Sequence, residues 1–458
     1  MLRLYNTLSQ QVEDFVPQLA PKVTVYTCGP TVYDYMHIGN WFTFIRYDLL
    51  IRTLKASDYE PVWIINITDV GHLTSDADDG EDKLAKKAQN ENKNAWDIAK
   101  YYSEYFINSI HKLNFIVPTY IPKATDHINE QIDFISQLET KGFTYRIDDG
   151  IYFDTSRFLK YADFARLDLD EQQSSGRVDV NKEKRRSSDF ALWKFSPLDQ
   201  TRDMEWDSPW GKGFPGWHIE CSAMSLKYLG QTIDIHSGGI DHIPVHHTNE
   251  IAQSEALNGA PLARIWIHTN HILLNDAKIS KSLGNTITIE DIEAKGFSCE
   301  TLRVLTLESH YRSQSKFSWD AMSAAQTRLI RYRNFATLRF QTSGDQDLPT
   351  LDLLSTLQND LNTPLTLAAL ESWLNQIDTS KSSSSSFEDK LNLIDNLLGL
   401  KLMSVQDITK EQKLLITERE QARVDKNWEL ADSLRVQLEE ANITVLDQPN
   451  GPVWQYLN

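Results

Sequence analysis

Three groups of residues in this chain of 458 have types and spacings suited to chemistry. The first is His37-Ile38-Gly39-Asn40, which follows a strand-and-turn pattern and opens a helical one. Unpaired backbone N–H groups and the macrodipole at a helix start favour phosphate. Gly39 lets an anionic or flat ligand approach the backbone, and His37 and Asn40 can point the same way toward phosphate oxygens. A helix-capping turn is the plainer reading of the same tetrapeptide. The second group is Lys278-Ile279-Ser280-Lys281-Ser282-Leu283-Gly284-Asn285, where Lys278 and Lys281 in a Ser/Gly loop can neutralise a triphosphate. Its plainer reading is a solvated basic turn. The third group is Cys28 at the end of the first strand, Cys221 in Gly216-Trp217-His218-Ile219-Glu220-Cys221, and His246 and Glu250 in His246-His247-Thr248-Asn249-Glu250. His and Glu four apart share a helix face, and two thiolates, an imidazole and a carboxylate all suit Zn²⁺. Glu250 also lies three residues from His247, so spacing leaves His246 and His247 both open. Only a shared sheet can bring Cys28 to Cys221.

The elements that must position these residues alternate. Val23–Thr27 and Pro61–Ile67 have the apolar character of buried strands, and Asp234–Gly239 and Trp266–Leu274 follow later. Helical patterns run between them, the first from about Asn40 to Lys55. This implies an α/β parallel sheet with helices on its faces. From about Trp319 glycines nearly vanish and the spacing is helical until Ile443–Leu446. The run Lys381–Ser386 is expected to be a connector or helix–helix loop, and Lys410–Ala441 a helical hairpin broken near Asn427.

At roughly 150 residues per domain the length suggests about three domains. Apolar residues at 41% and charged ones at 24% are ordinary for a globular chain and exclude disordered or collagen-like classes. No apolar run approaches the ~20 residues of a membrane span, and the first residues lack a signal-peptide core. Cys28, Cys221 and Cys299 are too few for a disulfide framework, so a cytoplasmic, reduced setting is expected. Lys and Arg total 46 against 64 Asp and Glu, a net charge of −18, so any polyanion must use local patches. One candidate is residues 311–340, where Arg312, Lys316, Arg328, Arg331, Arg333 and Arg339 oppose Asp320, six minus one, or +5.

The first two groups together resemble the signature sequences of class I aminoacyl-tRNA synthetases, departing at Asn40 (histidine in the general signature) and Ile279 (methionine). Over essentially the whole length the chain resembles the cysteinyl-tRNA synthetases. Matching stretches are Tyr26–Asp34, Asn66–Asp69, Asp189–Lys194, Pro215–Met224, His246–Glu255 and the 278–282 loop. The resemblance implies one Zn²⁺ per subunit on Cys28, Cys221, His246 and Glu250, with the substrate thiol on the metal. It implies an amino-acid pocket lined by Trp217 with contacts from Thr31 and Thr68, and an adenosine site at Gly39, Gly238, Gly239, Asp241 and Lys281. His37, Asn40, Lys278 and Lys281 would stabilise charge on ATP phosphates, with Mg²⁺. The expected partners are L-cysteine, ATP and tRNA(Cys), for a monomer that binds no membrane. The implied architecture is a Rossmann-like parallel-sheet catalytic domain (1–115 and 206–318) with an inserted connective domain (116–205), an α-helical bundle (319–400) and a small C-terminal anticodon-binding domain (401–458). Trp454 is a candidate to stack on an anticodon base or to fill a small core. A cysteine:aminosugar ligase with the same core is the nearest rival, and the residues after Trp319 argue against it. A zinc hydrolase would leave the lysine loop without a role, and intact His37 and Lys281 disfavour a non-catalytic RNA-binding protein.

Overall fold

Val23, Val25 and Tyr26 are buried along Lys22–Thr27 (β1), an inner strand of a four-stranded parallel sheet. On one side lies Glu60–Ile65 (β2); on the other lie Ile233–Gly239 (β3) and then Ala263–Thr269 (β4). The computed structural model describes residues 1–71, 83–166, 183–197, 202–274, 277–278, 286–377, 381–448 and 451–457, with backbone alone at Lys83, Ala277 and Lys278. Register decides what this sheet presents. Tyr26 pairs with His236, His236 with Trp266, and Gly238 with His268. With a side-chain period of two, Tyr26, His236, Trp266, Gly238 and His268 therefore share one face. The sheet connects in opposite directions from β1, and the crevice beyond the carboxyl ends at such a point is where ligands bind in open α/β sheets.

Ile38–Ala56 (α1) crosses from β1 to β2, while Trp217–Leu229 (α2) and Thr248–Asn258 (α3) bracket β3. A separate antiparallel sheet orders Thr144–Ile147, Gly150–Phe153, Phe190–Phe195 and Gly213–Pro215. Its last strand lies within the span the sequence reading gives to the second catalytic segment. After Trp319 the chain is helical until a final hairpin, Ile443–Gln448 with Gly451–Tyr456. No helix among the described residues is long and apolar enough to cross a membrane.

Four local outcomes differ from, or decide between, the sequence expectations. The apolar run to Leu274 is two strands, because Asn270 leaves the ladder: its N–H donates to the Tyr311 carbonyl and its own carbonyl accepts from Arg46. The serine run is a helix start rather than a connector, with Ser383 capping Ser384–Leu398 by accepting from the Ser386 N–H. Asn427 does break the helical hairpin, as the N-cap of Trp428–Glu440. Trp454 is buried with Ile416, Leu438 and Ile443, so it fills a core and offers no stacking face.

The parallel sheet's first helix and the helices after 319 are joined through a buried charge cluster. Asp48 on α1 accepts from Arg52 Nε at 2.7 Å, from Arg303 Nη2 and from the Ile116 N–H at 2.7 Å. The two guanidiniums also donate to the carbonyls of Leu113, Asn114, Asp395, Asn396 and Leu398. Removing one partner of a buried pair leaves an uncompensated charge. Asp48→Ala is therefore expected to cost about 3–5 kcal/mol in denaturant unfolding, well beyond an exposed acidic residue such as Asp58.

Candidate active site

Cys28 follows the last residue of β1, with its N–H donating to the Ser237 carbonyl at 3.1 Å. Cys221 lies in the first turns of α2; His246 and Glu250 lie in and just after the π-turn Ile243–His247 that leads into α3. One ligand atom from each of Cys28, Cys221, His246 and Glu250 lies within 4.8 Å of every other, and all four residues are buried. The structure thus pairs Glu250 with His246, its Oε1 standing 2.9 Å from His246 Nε2. His247 turns instead to Cys28 Sγ at 3.3 Å. A second set with the same mutual distances shares two members with the first: Cys28, His236, His247 and Glu250.

The electrostatics fit a cation. Burial alone would raise Glu250, but the imidazoles of His236 and His246 hold it well below the carboxylate range. Burial would lower His246, yet the Glu250 carboxylate and the Cys221 sulfur outweigh it and push the imidazole up to about 10. The Cys28 sulfhydryl lowers Cys221, while burial and its acidic neighbours raise Cys28. Burial brings His242 down to about 4 and lowers His247 strongly. Two thiols, an imidazole and an ionised carboxylate are a donor set that suits four-coordinate zinc.

Other residues complete the wall. The Trp217 ring lies 5.6 Å from that of His246, and His218 Nδ1 lies 2.9 Å from His246 Nδ1. Pro30–Val32 zips to Thr68 through backbone bonds, bringing Thr31 beside Thr68. The Thr68 hydroxyl donates to Glu220 Oε2 at 2.8 Å and accepts from Asn66. Gly238 admits two rings, since a Cβ there would sit 2.5 Å from His247 Cε1 and 2.6 Å from His242 Nδ1. Asp241, in the turn after Gly239, lies 3.9 Å from His271 Nε2.

His37 and Asn40 form a reciprocal capping box on α1: the Asn40 N–H donates to His37 Nδ1 at 3.3 Å and the His37 N–H to Asn40 Oδ1 at 3.2 Å. The Ile38 N–H donates to the Ile287 carbonyl at 2.8 Å, so the chain leaving the lysine loop meets the start of α1. Lys278 pairs with Leu273 through its backbone; Lys281 and the rest of that loop lie outside the described residues.

The family described as "tRNA synthetases class I (C) catalytic domain" matches residues 14–327. The chain is 39% identical over 496 residues to the cysteine–tRNA ligase of Treponema denticola, covering 100% of both chains. It is 45% identical over 456 residues to cysteine–tRNA ligase 1 of Burkholderia lata, covering 98% and 96%. The chain belongs to the class I cysteinyl-tRNA synthetases. Among solved structures, a methionyl-tRNA synthetase of Mycobacterium tuberculosis with methionyl-adenylate superposes at a TM-score of 0.60 with 14% identity, over 84% of this chain and 93% of that one. A leucyl enzyme of Agrobacterium radiobacter with tRNA gives 0.61 at 11% identity, covering 86% of each. These two likenesses show the class I fold.

Within that family frame, sequence reasoning missed Glu220, His236, His242 and His268. Buried polar positions in β3 were the available signal, since Asp234, His236 and Ser237 all lie within that strand. In the structure most of the 311–340 cations meet partners from outside that window. Arg328 pairs with Glu308 and Glu371, Arg331 with Glu371, Arg333 with Glu300 and Arg312 with Asp360, while Arg339 donates to the Met403 and Val405 carbonyls. A net +5 along the sequence is largely offset in space by acids from outside that window. Replacing Arg328, Arg331 and Arg333 together is accordingly expected to lower the melting temperature while leaving the salt dependence of tRNA binding unchanged.

Asp69, beside Thr68, supplies a pH test. Burial raises its carboxyl to about 6 against hydrogen bonds from the Thr125 N–H and hydroxyl. The folded chain then keeps a proton that the unfolded chain releases near pH 4, so stability falls as pH rises from about 4 to 6. Asp69→Asn should remove that fall, of up to about 3 kcal/mol, in urea unfolding across this range.

Proposed function

We propose that this chain activates L-cysteine with ATP and transfers it to the 3′ end of tRNA(Cys). The observation that carries the reading is the buried Cys28, Cys221, His246 and Glu250 set at the carboxyl end of the parallel sheet. Cysteine and serine differ by sulfur for oxygen, and shape alone separates such near-isosteres by only about 10- to 200-fold. A zinc ion on these four residues would supply a soft Lewis acid that holds the substrate sulfur as thiolate and leaves an alcohol protonated.

The remaining steps fall to side chains. Trp217 would close the pocket beside His246, and Thr31 and Thr68 would flank the amino acid. The cysteine carboxylate attacks the α-phosphate of ATP, the bond to the β-phosphate breaks and pyrophosphate leaves. No protein nucleophile is needed; orientation and charge stabilisation suffice. His37 and Asn40, Lys278 and Lys281 would meet the phosphates, with Mg²⁺, and Gly39, Gly238, Gly239 and Asp241 the adenosine. The ribose hydroxyl of the tRNA end then attacks the adenylate carbonyl and AMP departs. In this reading the segments 1–115 and 206–318 form the catalytic unit, 116–205 the connective insertion, and 319–400 and 401–458 the tRNA side. A monomer working in the cytoplasm completes the proposal. Matches that run through the C-terminal region to 98–100% of the chain disfavour a cysteine:aminosugar ligase.

ATP–pyrophosphate exchange tests this directly. Cysteine should support exchange and serine should support it at least about a thousandfold less well; equal rates would overturn zinc-based selection. Lys281→Ala is expected to slow adenylate formation about a hundredfold or more with cysteine affinity within about threefold, because phosphate charge develops in the transition state.

A further inference from the structure

The two overlapping ligand sets raise a question that the donor types alone leave open. Both contain Cys28 and Glu250; one adds Cys221 and His246, the other His236 and His247. The Glu250 carboxylate faces both ways, with Oε1 2.9 Å from His246 Nε2 and Oε2 2.9 Å from His236 Nε2. His236 differs from the other candidates in its mounting. It belongs to the middle of β3, paired in register with Tyr26 and Trp266, and is wholly buried. Its ring lies flat on Trp266, 14° from parallel at 4.5 Å, with the Tyr26 ring 5.3 Å away. Strand and stack together fix the imidazole so that Nε2 meets the carboxylate. Among the described residues its Nδ1 has no hydrogen-bond partner, while its Nε2 faces a carboxylate, which only accepts, so the Nε2–H is the donor to Glu250.

We propose that His236 is a positioning residue: its Nε2–H holds Glu250 Oε2 from behind, so that Oε1 is aimed at the space shared with Cys28, Cys221 and His246. His236 is then no ligand, and the rear set is a support for the front one. His247 stands to Cys28 much as His236 stands to Glu250, its Nε2 at 3.3 Å from the sulfur and its Nδ1 bonded to His268 Nε2 at 2.7 Å. Outer donors of this kind orient ligating carboxylates and imidazoles, and their loss typically costs 10–100-fold in metal affinity. The proposal rests on the reading that the front set holds zinc.

Two variants of the full chain separate the donor from the bulk. His236→Phe keeps a flat ring on Trp266 and removes the N–H; His236→Gln keeps an N–H near the same position. Zinc affinity is measured by competition with a chromophoric chelator, and the cobalt(II)-loaded proteins by their visible spectra. The expected result is a loss of about 10–100-fold in affinity with a changed cobalt spectrum for the Phe variant, and recovery to within about threefold of the parent for Gln. Should the Phe variant fail to fold, His236→Met, also without a donor, is read by the same criteria. Parental affinity and spectrum in the donorless variant would overturn the proposal. So would a parent that takes up two zinc equivalents with the second lost in His236→Phe, because His236 would then be a ligand. A parent that takes up no zinc would instead bring down the zinc reading of the front set, and this inference with it.

Discussion

A carboxylate sealed from water is tolerable only when other groups answer its charge, and the centre of this protein is arranged around that demand. Glu250 has no exposed surface, and each of its oxygens meets an imidazole, one from the turn leading into its helix and one from β3. That requirement reaches outward. His236 must stand on the sheet face that meets α3, so Trp266 and Tyr26 must flank it in register. Gly238 must lack a side chain so that His247 and His242 fit beneath. The parallel sheet with its switch at β1 brings the ends of β1 and β3 together, and only there can Cys28 join residues two hundred positions away.

Much of this was legible in the sequence where local pattern carries the information. Alternating strands and helices, the cysteine, histidine and glutamate types, and the i, i+4 step from His246 to Glu250 are all local properties. Asn427 as a break and the helical character after 319 are equally local. What was not legible depends on pairing across distance. The choice between His246 and His247 needed the π-turn at Ile243–His247, whose widened winding sends successive histidines to different partners. The arginines of 311–340 look unopposed along the chain because Glu300, Glu308, Asp360 and Glu371 lie outside that window. Trp454 is a stacking candidate by type and a core residue by position.

The tetrapeptide His37–Asn40 shows that a plain and a functional reading can hold for the same residues. Its side chains satisfy the first N–H groups of α1, which fixes the turn after β1. The same turn carries the chain from Cys28 to the helix start, and Ile287 anchors the exit of the lysine loop on Ile38. A cap of this kind is a means of holding a helix N-terminus still beside the sheet end, where an anion benefits from its dipole.

The Asp48 cluster bears on how separable the parts of this protein are. Arg303 reaches back to a residue 255 positions earlier and forward to the carbonyl of Leu398, while Arg52 donates to Asp395 and Asn396. Several hydrogen-bond acceptors for two interior guanidiniums therefore belong to the helix Ser384–Leu398. A fragment ending near residue 318 would expose or orphan those cations within its own core. The segment up to residue 318 is thus not a free-standing module to which the helical C-terminal region was appended. Any trimming, grafting or shuffling of this scaffold has to carry that helix along, or replace Arg52 and Arg303 with apolar side chains of similar volume.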